Sequence, residues 1–338
     1  MKYLAGLLLV LGLVGCVDGS SLSGNIATTS SKSSPSTAES GSADSQRAKS
    51  DQPIAPAADD DALAALAWKA RLEQDLVYHS VDGVDLKLDV FVPDAWLGEP
   101  PWWATTGGKK PALLYIHGGG FVGGDKESRQ LRLLPFISRE WVVINIDYRL
   151  AKSAKAPAAV ADCLAALRWV FDNAEKYQID TDRVVVSGES AGGHLALMTG
   201  MLREGDSLCG DKYVVGPTNQ VAAIINWYGI TDFTLHAAHQ RKVTQEPHAW
   251  FDPHDDHAEL TRSLSPVNYV RKGGVPVISI HGSDDPAVLA EQPEMLHRKL
   301  STFAVKQKLV MINGKKHGDF SPHERTRIFK EIWDFLEE

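Results

Sequence analysis

The sequence predicts an α/β domain with a mostly parallel central sheet, and three observations support this. Short segments rich in Val, Ile and Leu alternate with segments of helical periodicity. The apolar segments are continuous rather than alternating, which is typical of strands buried on both faces of a parallel sheet. Of the 338 residues, 43% are hydrophobic, enough for a large core. Repeated strand–helix units place helices on both faces of such a sheet.

A hairpin opens the folded part of the chain. Residues 75–81 and 84–92 are strand-like and are joined by Asp82-Gly83, a dipeptide that favours a tight turn, so the second strand is antiparallel. The remaining strands are predicted at residues 112–116, 141–146, 183–187, 222–227, 275–280 and 306–312.

Three further segments complete the predicted domain. Apolar residues recur at helical spacing from Val160 to Ala174, which predicts a crossover helix. Ser321-Pro322-His323-Glu324 is a capping box that begins the last helix. Residues 231–262 are too long for a simple connection, and we predict that they form a small lid.

The N-terminal residues have the pattern of a targeting segment. The apolar run from Leu4 to Val17 is too short to span a bilayer and suits a secretory signal peptide. It contains Leu13-Val14-Gly15-Cys16, which resembles the lipobox of bacterial lipoproteins. We therefore expect a signal peptide at residues 1–16 and a lipid on Cys16. A cleaved soluble signal peptide with an incidental cysteine is the alternative.

The rest of the predicted organisation follows from this leader. Residues 17–61 are rich in Ser and Thr and read as a flexible tether, and residues 62–338 form one folded domain. The expected location is the bacterial cell envelope, on the outer membrane rather than the inner one, or the periplasm or exterior. The net charge of −8 argues against a nucleic-acid partner. Cys163 and Cys209 fall towards opposite edges of the predicted sheet, so no disulfide is expected.

Two glycine-rich motifs follow predicted strands. Ser190 is the centre of a G-x-S-x-G pentapeptide between a strand and a helix, the context of a nucleophile elbow. His117-Gly118-Gly119-Gly120-Phe121 directly follows another strand, and its glycines allow backbone N–H groups to point at a developing oxyanion. The carboxyl ends of parallel strands meet at one edge of the sheet, where ligands bind.

An acid and a histidine follow the last two strands. Asp285 lies in His281-Gly282-Ser283-Asp284-Asp285-Pro286-Ala287-Val288, and His317 lies on a loop between Gly314 and Gly318. The order Ser190, Asp285, His317 is the order of nucleophile, acid and base in α/β-hydrolases.

These motifs carry a family resemblance over residues 62–338. The sequence resembles α/β-hydrolases of the esterase/lipase group related to hormone-sensitive lipase, and is most similar to the bacterial feruloyl-esterase and acetylxylan-esterase-like branch. The segments that carry it are residues 88–93, 117–121, 125–126, 147–150, 188–194, 264–266 and 281–288. The resemblance implies the α/β-hydrolase fold, with an antiparallel second strand, and no metal or organic cofactor.

The resemblance also implies the roles of the site residues. Ser190 would be the nucleophile, His317 the general acid/base and Asp285 the acid that orients it; Asp285 is preferred to Asp284 because only Asp285 fits the pattern HG-x-x-D-x-x-V. The oxyanion donors would be the N–H groups of Gly119, Gly120 and Ala191. The sequence departs from the commonest forms of the family in having Phe121 where Trp is frequent and Glu189 where Asp is frequent, and it lacks the long N-terminal helical cap.

The expected function is a serine carboxylesterase acting on short-chain or aromatic-acid esters, free or attached to polysaccharide. An arylformamidase-like amidase and a serine peptidase would use the same scaffold, whereas a non-catalytic binding protein is disfavoured because all the catalytic residue types are present. Aromatic residues predicted to contact substrate are Phe121, Trp227, Tyr228 and Trp250. Packed lid aromatics are the alternative for Trp250. The five lid histidines lack regular ligand spacing, so no metal site is predicted.

Overall fold

The computed structural model describes residues 70–93, 108–128, 130–209, 221–244, 248–252 and 257–338. All of them lie in the compact unit Trp68–Glu338. The predicted signal peptide, Cys16 and the tether lie outside these ranges, so the boundaries at residues 16 and 61 stay predictions. None of the helices in the described ranges is both long and apolar enough to cross a membrane.

Eight strands of the described chain form one sheet in the order β1-β2-β4-β3-β5-β6-β7-β8. The second strand is antiparallel to both of its neighbours, and all other pairs are parallel. The predicted fold class is confirmed. The strands are β1 Ala70–Val81, β2 Val84–Pro93, β3 Lys110–Ile116, β4 Val142–Ile146, β5 Ile179–Glu189, β6 Ala223–Trp227, β7 Val277–Gly282 and β8 Gln307–Ile312.

Helices cover both faces of this sheet. They are α1 Leu134–Ile137, α2 Ala158–Asp172, α3 Ala191–Met201, α4 Phe233–Thr244, α5 His257–Ser263, α6 Glu291–Thr302 and α7 Pro322–Glu337, with 3₁₀ turns at Gln130–Leu133 and Pro266–Tyr269. Alternate residues of β3 enter two separate cores: Leu114 packs with residues of α2 and α3, and Leu113 packs with residues of α1 and α7. Because both faces of β3 are buried, its sequence does not alternate between apolar and polar residues.

Local signals placed most element ends correctly. Asp82 and Gly83 have φ values of 53° and 76°, as a two-residue hairpin turn requires. Ser321 and Glu324 make both hydrogen bonds of the capping box. The first strand begins five residues before the predicted one, because its register shifts between Glu73 and Leu76 and the apolar alternation is interrupted there.

Candidate active site

Ser190 sits on a sharp turn between β5 and α3. Its φ of 54° and ψ of −118° lie in a region that L-residues rarely adopt. A Cβ at Gly188 would lie 2.3 Å from the carbonyl oxygen of Gly192, and a Cβ at Gly192 would lie 2.1 Å from that of Ile116. The two glycines of the pentapeptide are therefore required by backbone contacts, which is why the motif marks the turn.

The three residues predicted as nucleophile, base and acid form one hydrogen-bonded chain. His317 Nε2 is 2.8 Å from Ser190 Oγ, and His317 Nδ1 is 2.6 Å from Asp285 Oδ2. Because an ionised carboxylate only accepts, Nδ1 carries the proton and Nε2 has the lone pair that accepts from the Ser190 hydroxyl. The loops after β5, β7 and β8 bring these side chains together at one edge of the sheet.

The structure also distinguishes between the two adjacent aspartates. Asp285 is buried, and its Oδ1 accepts hydrogen bonds from the backbone N–H groups of Ala287 and Val288 at 2.9 and 3.0 Å. Burial alone would raise the pKa of Asp285, but the hydrogen bonds from His317 and Val288 bring it below its ordinary value. Asp284 is exposed and accepts from the Ser283 hydroxyl.

The glycine loop after β3 has positive φ values at three consecutive residues. Gly119, Gly120 and Phe121 have φ values of 125°, 62° and 64°, and a Cβ at Gly119 would lie 1.9 Å from the carbonyl oxygen of Gly123. Gly120, Ala191 and Ser190 line one cavity, and Gly119 lies in the turn directly before Gly120.

A buried lysine attaches the end of this loop to the sheet. Lys126 donates from Nζ to Asp89 Oδ2 at 3.2 Å, and its backbone N–H donates to Asp147 Oδ1 at 2.8 Å. All three residues belong to segments that carried the family resemblance, so the sequence pointed to the positions without revealing that they contact one another.

A cavity of about 380 Å³ opens beside Ser190. Its walls come from the glycine loop, the acid loop and the insertion at residues 231–262, whose described part contains α4 and α5. Helix α4 contributes His236, His239 and Val243 to the lining. His239 Nε2 also donates to the carbonyl oxygen of Pro286 at 3.0 Å, which joins the insertion to the acid loop.

Only one of the four aromatic residues predicted to contact substrate lines this cavity. Phe121 does, whereas Trp250 is fully buried behind it and stacks on its ring at 3.8 Å between centroids. Trp227 packs in the core on the α7 side of the sheet, and Tyr228 is buried against Glu189. The structure therefore does not place Trp227, Tyr228 or Trp250 at this cavity: strand-end position does not determine which face a side chain takes, and Trp250 packs behind Phe121.

Two of the histidines that line the cavity, His236 and His248, are buried and held neutral. Burial lowers the pKa of His236 to about 3 and that of His248 to about 4. Burial also lowers the pKa of His194 to about 3, and its Nδ1 lies 3.1 Å from the Ile230 carbonyl oxygen, consistent with a packing role.

Within the described ranges, no three His, Cys, Asp or Glu side chains are grouped as metal ligands would be. Cys163 and Cys209 are free thiols.

Fold and site geometry define an α/β-hydrolase of the esterase/lipase group, as the sequence resemblance predicted. Residues 103–300 match the BD-FAE family, and the chain belongs to that family.

Known proteins similar to this chain are named as esterases. Esterase LipC of Mycobacterium tuberculosis is 28% identical over 205 residues, which cover 56% of this chain and 48% of LipC. Esterase LipI of the same organism is 34% identical over 142 residues, which cover 40% and 44% of the two chains. The chain thus spans about half the length of these curated relatives. A thermophilic esterase from the Planctomycetes species Thermogutta terrifontis superposes with a TM-score of 0.63 and 25% identity, covering 79% of this chain and 91% of that one.

Proposed function

We propose that the protein is a serine carboxylesterase that hydrolyses esters of short-chain or aromatic acids. The observation that carries the proposal is the hydrogen-bonded chain from Ser190 through His317 to Asp285 beside the cavity. The esterase names of the similar proteins support the same reaction class.

The reaction proceeds in two acyl-transfer steps. His317 Nε2 accepts the Ser190 proton while Oγ bonds to the ester carbonyl carbon, and the carbonyl oxygen becomes an oxyanion. His317 then returns this proton to the departing alkoxide as the ester C–O bond breaks, which leaves an acyl group on Ser190. A water molecule, deprotonated by His317, attacks this acyl group, and the acid is released as Ser190 regains its proton.

Two groups of residues stabilise the charges that develop. The backbone N–H groups of Gly119, Gly120 and Ala191 are proposed to donate to the oxyanion, and one such donor is typically worth about 10²- to 10³-fold in rate. The Asp285 carboxylate stabilises the imidazolium form of His317, and its lowered pKa keeps it ionised near neutral pH.

The cavity favours a neutral acyl group. None of the residues described in its lining is Lys, Arg, Asp or Glu, and its apolar walls include Phe121, Ile230 and Val288. An anionic acyl group would lose hydration there without gaining a partner. A volume of about 380 Å³ lies within the usual range of small-molecule sites.

Substrate profiling of wild-type and Ser190→Ala protein tests the proposal. The panel contains nitrophenyl esters of graded chain length, a feruloyl ester, acetylated xylan, an aryl formamide and a peptide. We expect ester hydrolysis by the wild type and a loss of at least about 10⁴-fold in Ser190→Ala, with unchanged thermal unfolding. Near-wild-type turnover in Ser190→Ala would refute the mechanism, and a preference for the formamide or peptide would refute the substrate class.

We further propose that the enzyme is held in the bacterial cell envelope by a lipid on Cys16, with residues 17–61 as the tether. The lipobox-like Leu13-Val14-Gly15-Cys16 supports this. Val17 follows Cys16 and Asp18 comes one position too late for the usual inner-membrane retention signal, which favours the outer membrane. Incorporation of labelled palmitate into wild-type protein but not Cys16→Ser would support the anchor, and equal labelling would exclude it.

A further inference from the structure

A buried carboxylate lies next to the nucleophile and is not used in the acyl-transfer steps. Glu189 Oε1 accepts from the Tyr115 hydroxyl at 2.9 Å, and its Oε2 accepts from the Tyr228 hydroxyl at 2.8 Å. Arg132 forms an ion pair with Glu189 and donates from Nη1 to the Tyr228 oxygen at 3.0 Å. Four parts of the chain therefore meet at one buried charge.

Tyr228 connects this carboxylate to the catalytic histidine. Its ring lies edge-on to the His317 ring, with centroids 4.7 Å apart and planes at 66°. A Cβ at Gly318 would lie 2.7 Å from the Tyr228 hydroxyl, so the histidine loop packs directly on this phenol. Tyr228 has a φ of 43°, which shows that its position is held by its surroundings rather than by its own backbone preference.

The phenols are fixed as donors. Burial and the neighbouring Glu189 carboxylate raise the pKa of both Tyr115 and Tyr228, so both hydroxyls remain protonated. The carboxylate thus sets the direction of the Tyr228 O–H bond, and through it the place of the ring that contacts His317.

We propose that Glu189 is a positioning residue that holds His317 in line with Ser190 through Tyr228, and that Arg132 cancels the effect of this buried charge on His317. The inference rests on the proposed acyl-transfer function. It gives a physical role to the position at which this chain has Glu before the nucleophile.

Other titratable groups also face His317. Asp285 contacts it directly, and His281 and His236 approach from β7 and α4, but burial lowers the pKa of both histidines and keeps them neutral near pH 7. Further charged groups lie on or against the loop that carries His317. Lys315 pairs with Glu324 at 3.2 Å, and Arg325 donates to the Gly318 carbonyl oxygen at 3.2 Å. Lys316 and Asp319 are the other two charged residues of this loop. The variants below leave all of these unchanged.

The test compares Arg132→Met, Glu189→Gln and the double variant with the wild type. Two rates are followed against pH: kcat/KM for nitrophenyl acetate, and phosphonylation of Ser190 by a fluorophosphonate. In Arg132→Met the uncompensated carboxylate stabilises the imidazolium, so the acid limb should shift up by about one pH unit. In Glu189→Gln the remaining guanidinium should shift it down by a similar amount, and the double variant should return to within about 0.3 unit of the wild type.

Positioning has its own readout. We expect kcat to fall about 10- to 100-fold in Glu189→Gln with KM changed less than about threefold, since alignment affects the transition state more than ground-state binding. Tyr228→Phe, which keeps the ring but loses the hydroxyl that donates to Glu189, should lower kcat by a factor similar to that of Glu189→Gln. Arg139→Met, which removes an exposed Arg–Glu pair at 3.2 Å, is the control and should shift neither profile.

Three results would overturn the proposal: shifts of the same sign in both single variants, no shift in the well-folded single variants, or a wild-type kcat in Tyr228→Phe. Thermal unfolding of each variant identifies simple misfolding, and if a single variant misfolds, the fall in kcat is measured in the double variant, which carries no unpaired charge at this site. If phosphonylation shows the expected shifts while the wild type does not hydrolyse esters, the positioning role stands and the proposed substrate class fails.

Discussion

The strand-end edge of the sheet and the insertion at residues 231–262 both contribute to the cavity, but they are built differently. At the edge, backbone contacts fix the site: Ser190 lies on a turn in which two glycines touch neighbouring carbonyl oxygens. In the insertion, side-chain rings fix the wall of the cavity: Phe233, Trp250 and Phe251 pack on one another, and Phe233 and Trp250 also pack on Phe121. The geometry at Ser190 therefore rests on short-range backbone constraints, and the wall that the insertion adds to the cavity rests on side-chain packing.

The largest expected effect concerns the two adjacent aspartates at the edge. Asp285→Asn should lower kcat about 10⁴-fold, because an amide cannot hold the required tautomer of His317 or stabilise its charge. Asp284→Asn is the matched control and should change kcat less than about twofold, since that side chain is exposed. Steady-state kinetics on a nitrophenyl ester measures both. Equal losses in the two variants would break the assignment of Asp285.

Two glycines test whether backbone contacts fix this edge. Gly192→Ala would place a Cβ 2.1 Å from the Ile116 carbonyl oxygen, whereas a Cβ at Gly123 meets no atom within 4 Å. Gly192→Ala should lower kcat/KM at least about 10²-fold, since a displacement of about 1 Å at a reacting group has that effect. Gly123→Ala should stay within about threefold of the wild type. A wild-type kcat/KM in Gly192→Ala would show that the turn is less constrained than its contacts indicate.

The buried histidines of the insertion should make the protein less stable in acid. His236 and His248 stay neutral in the folded protein until about pH 3 to 4, whereas an unfolded histidine protonates near pH 6.5. Below about pH 6.5 the unfolded state thus binds more protons, and the free energy of unfolding falls towards pH 4. The contribution of these neutral histidines to the free energy of unfolding is fully present above about pH 6.5.

Urea unfolding at pH 7.5 and pH 5 measures this loss. His236→Leu cannot titrate, so its free energy of unfolding should fall by about 2 kcal/mol less than that of the wild type over this interval. Equal losses would show that His236 does not contribute.

The same contrast explains which parts of the molecule the sequence could predict. Ser190, Asp285 and His317 lie in short motifs whose residue types are required by local backbone geometry. Their positions and order could therefore be predicted from the sequence. Most strand ends were predicted within about three residues, because continuous apolar runs mark strands buried on both faces. The exceptions were β1, where a register shift interrupts the pattern, and β5, which begins at Ile179.

Features that depend on contacts distant in sequence could not be predicted. The Glu189 network joins residues separated by 39 and 74 positions, and no local pattern reveals that Tyr115 and Tyr228 reach the same carboxylate. Trp250 was predicted to contact substrate but stacks behind Phe121, because the folding of the insertion decides which ring faces the cavity. His236 and His239 line the cavity, yet their spacing in the sequence predicted no function for them.

Trapping the covalent intermediate tests the central claim most directly. Wild-type protein is mixed with excess nitrophenyl butyrate, quenched in acid within its first turnovers, digested and examined by mass spectrometry, with Ser190→Ala treated in parallel. We expect one butyryl group on the peptide that contains Ser190 and none in the variant. Rapid ester hydrolysis with the acyl group on a different residue, or with turnover retained in Ser190→Ala, would contradict the account.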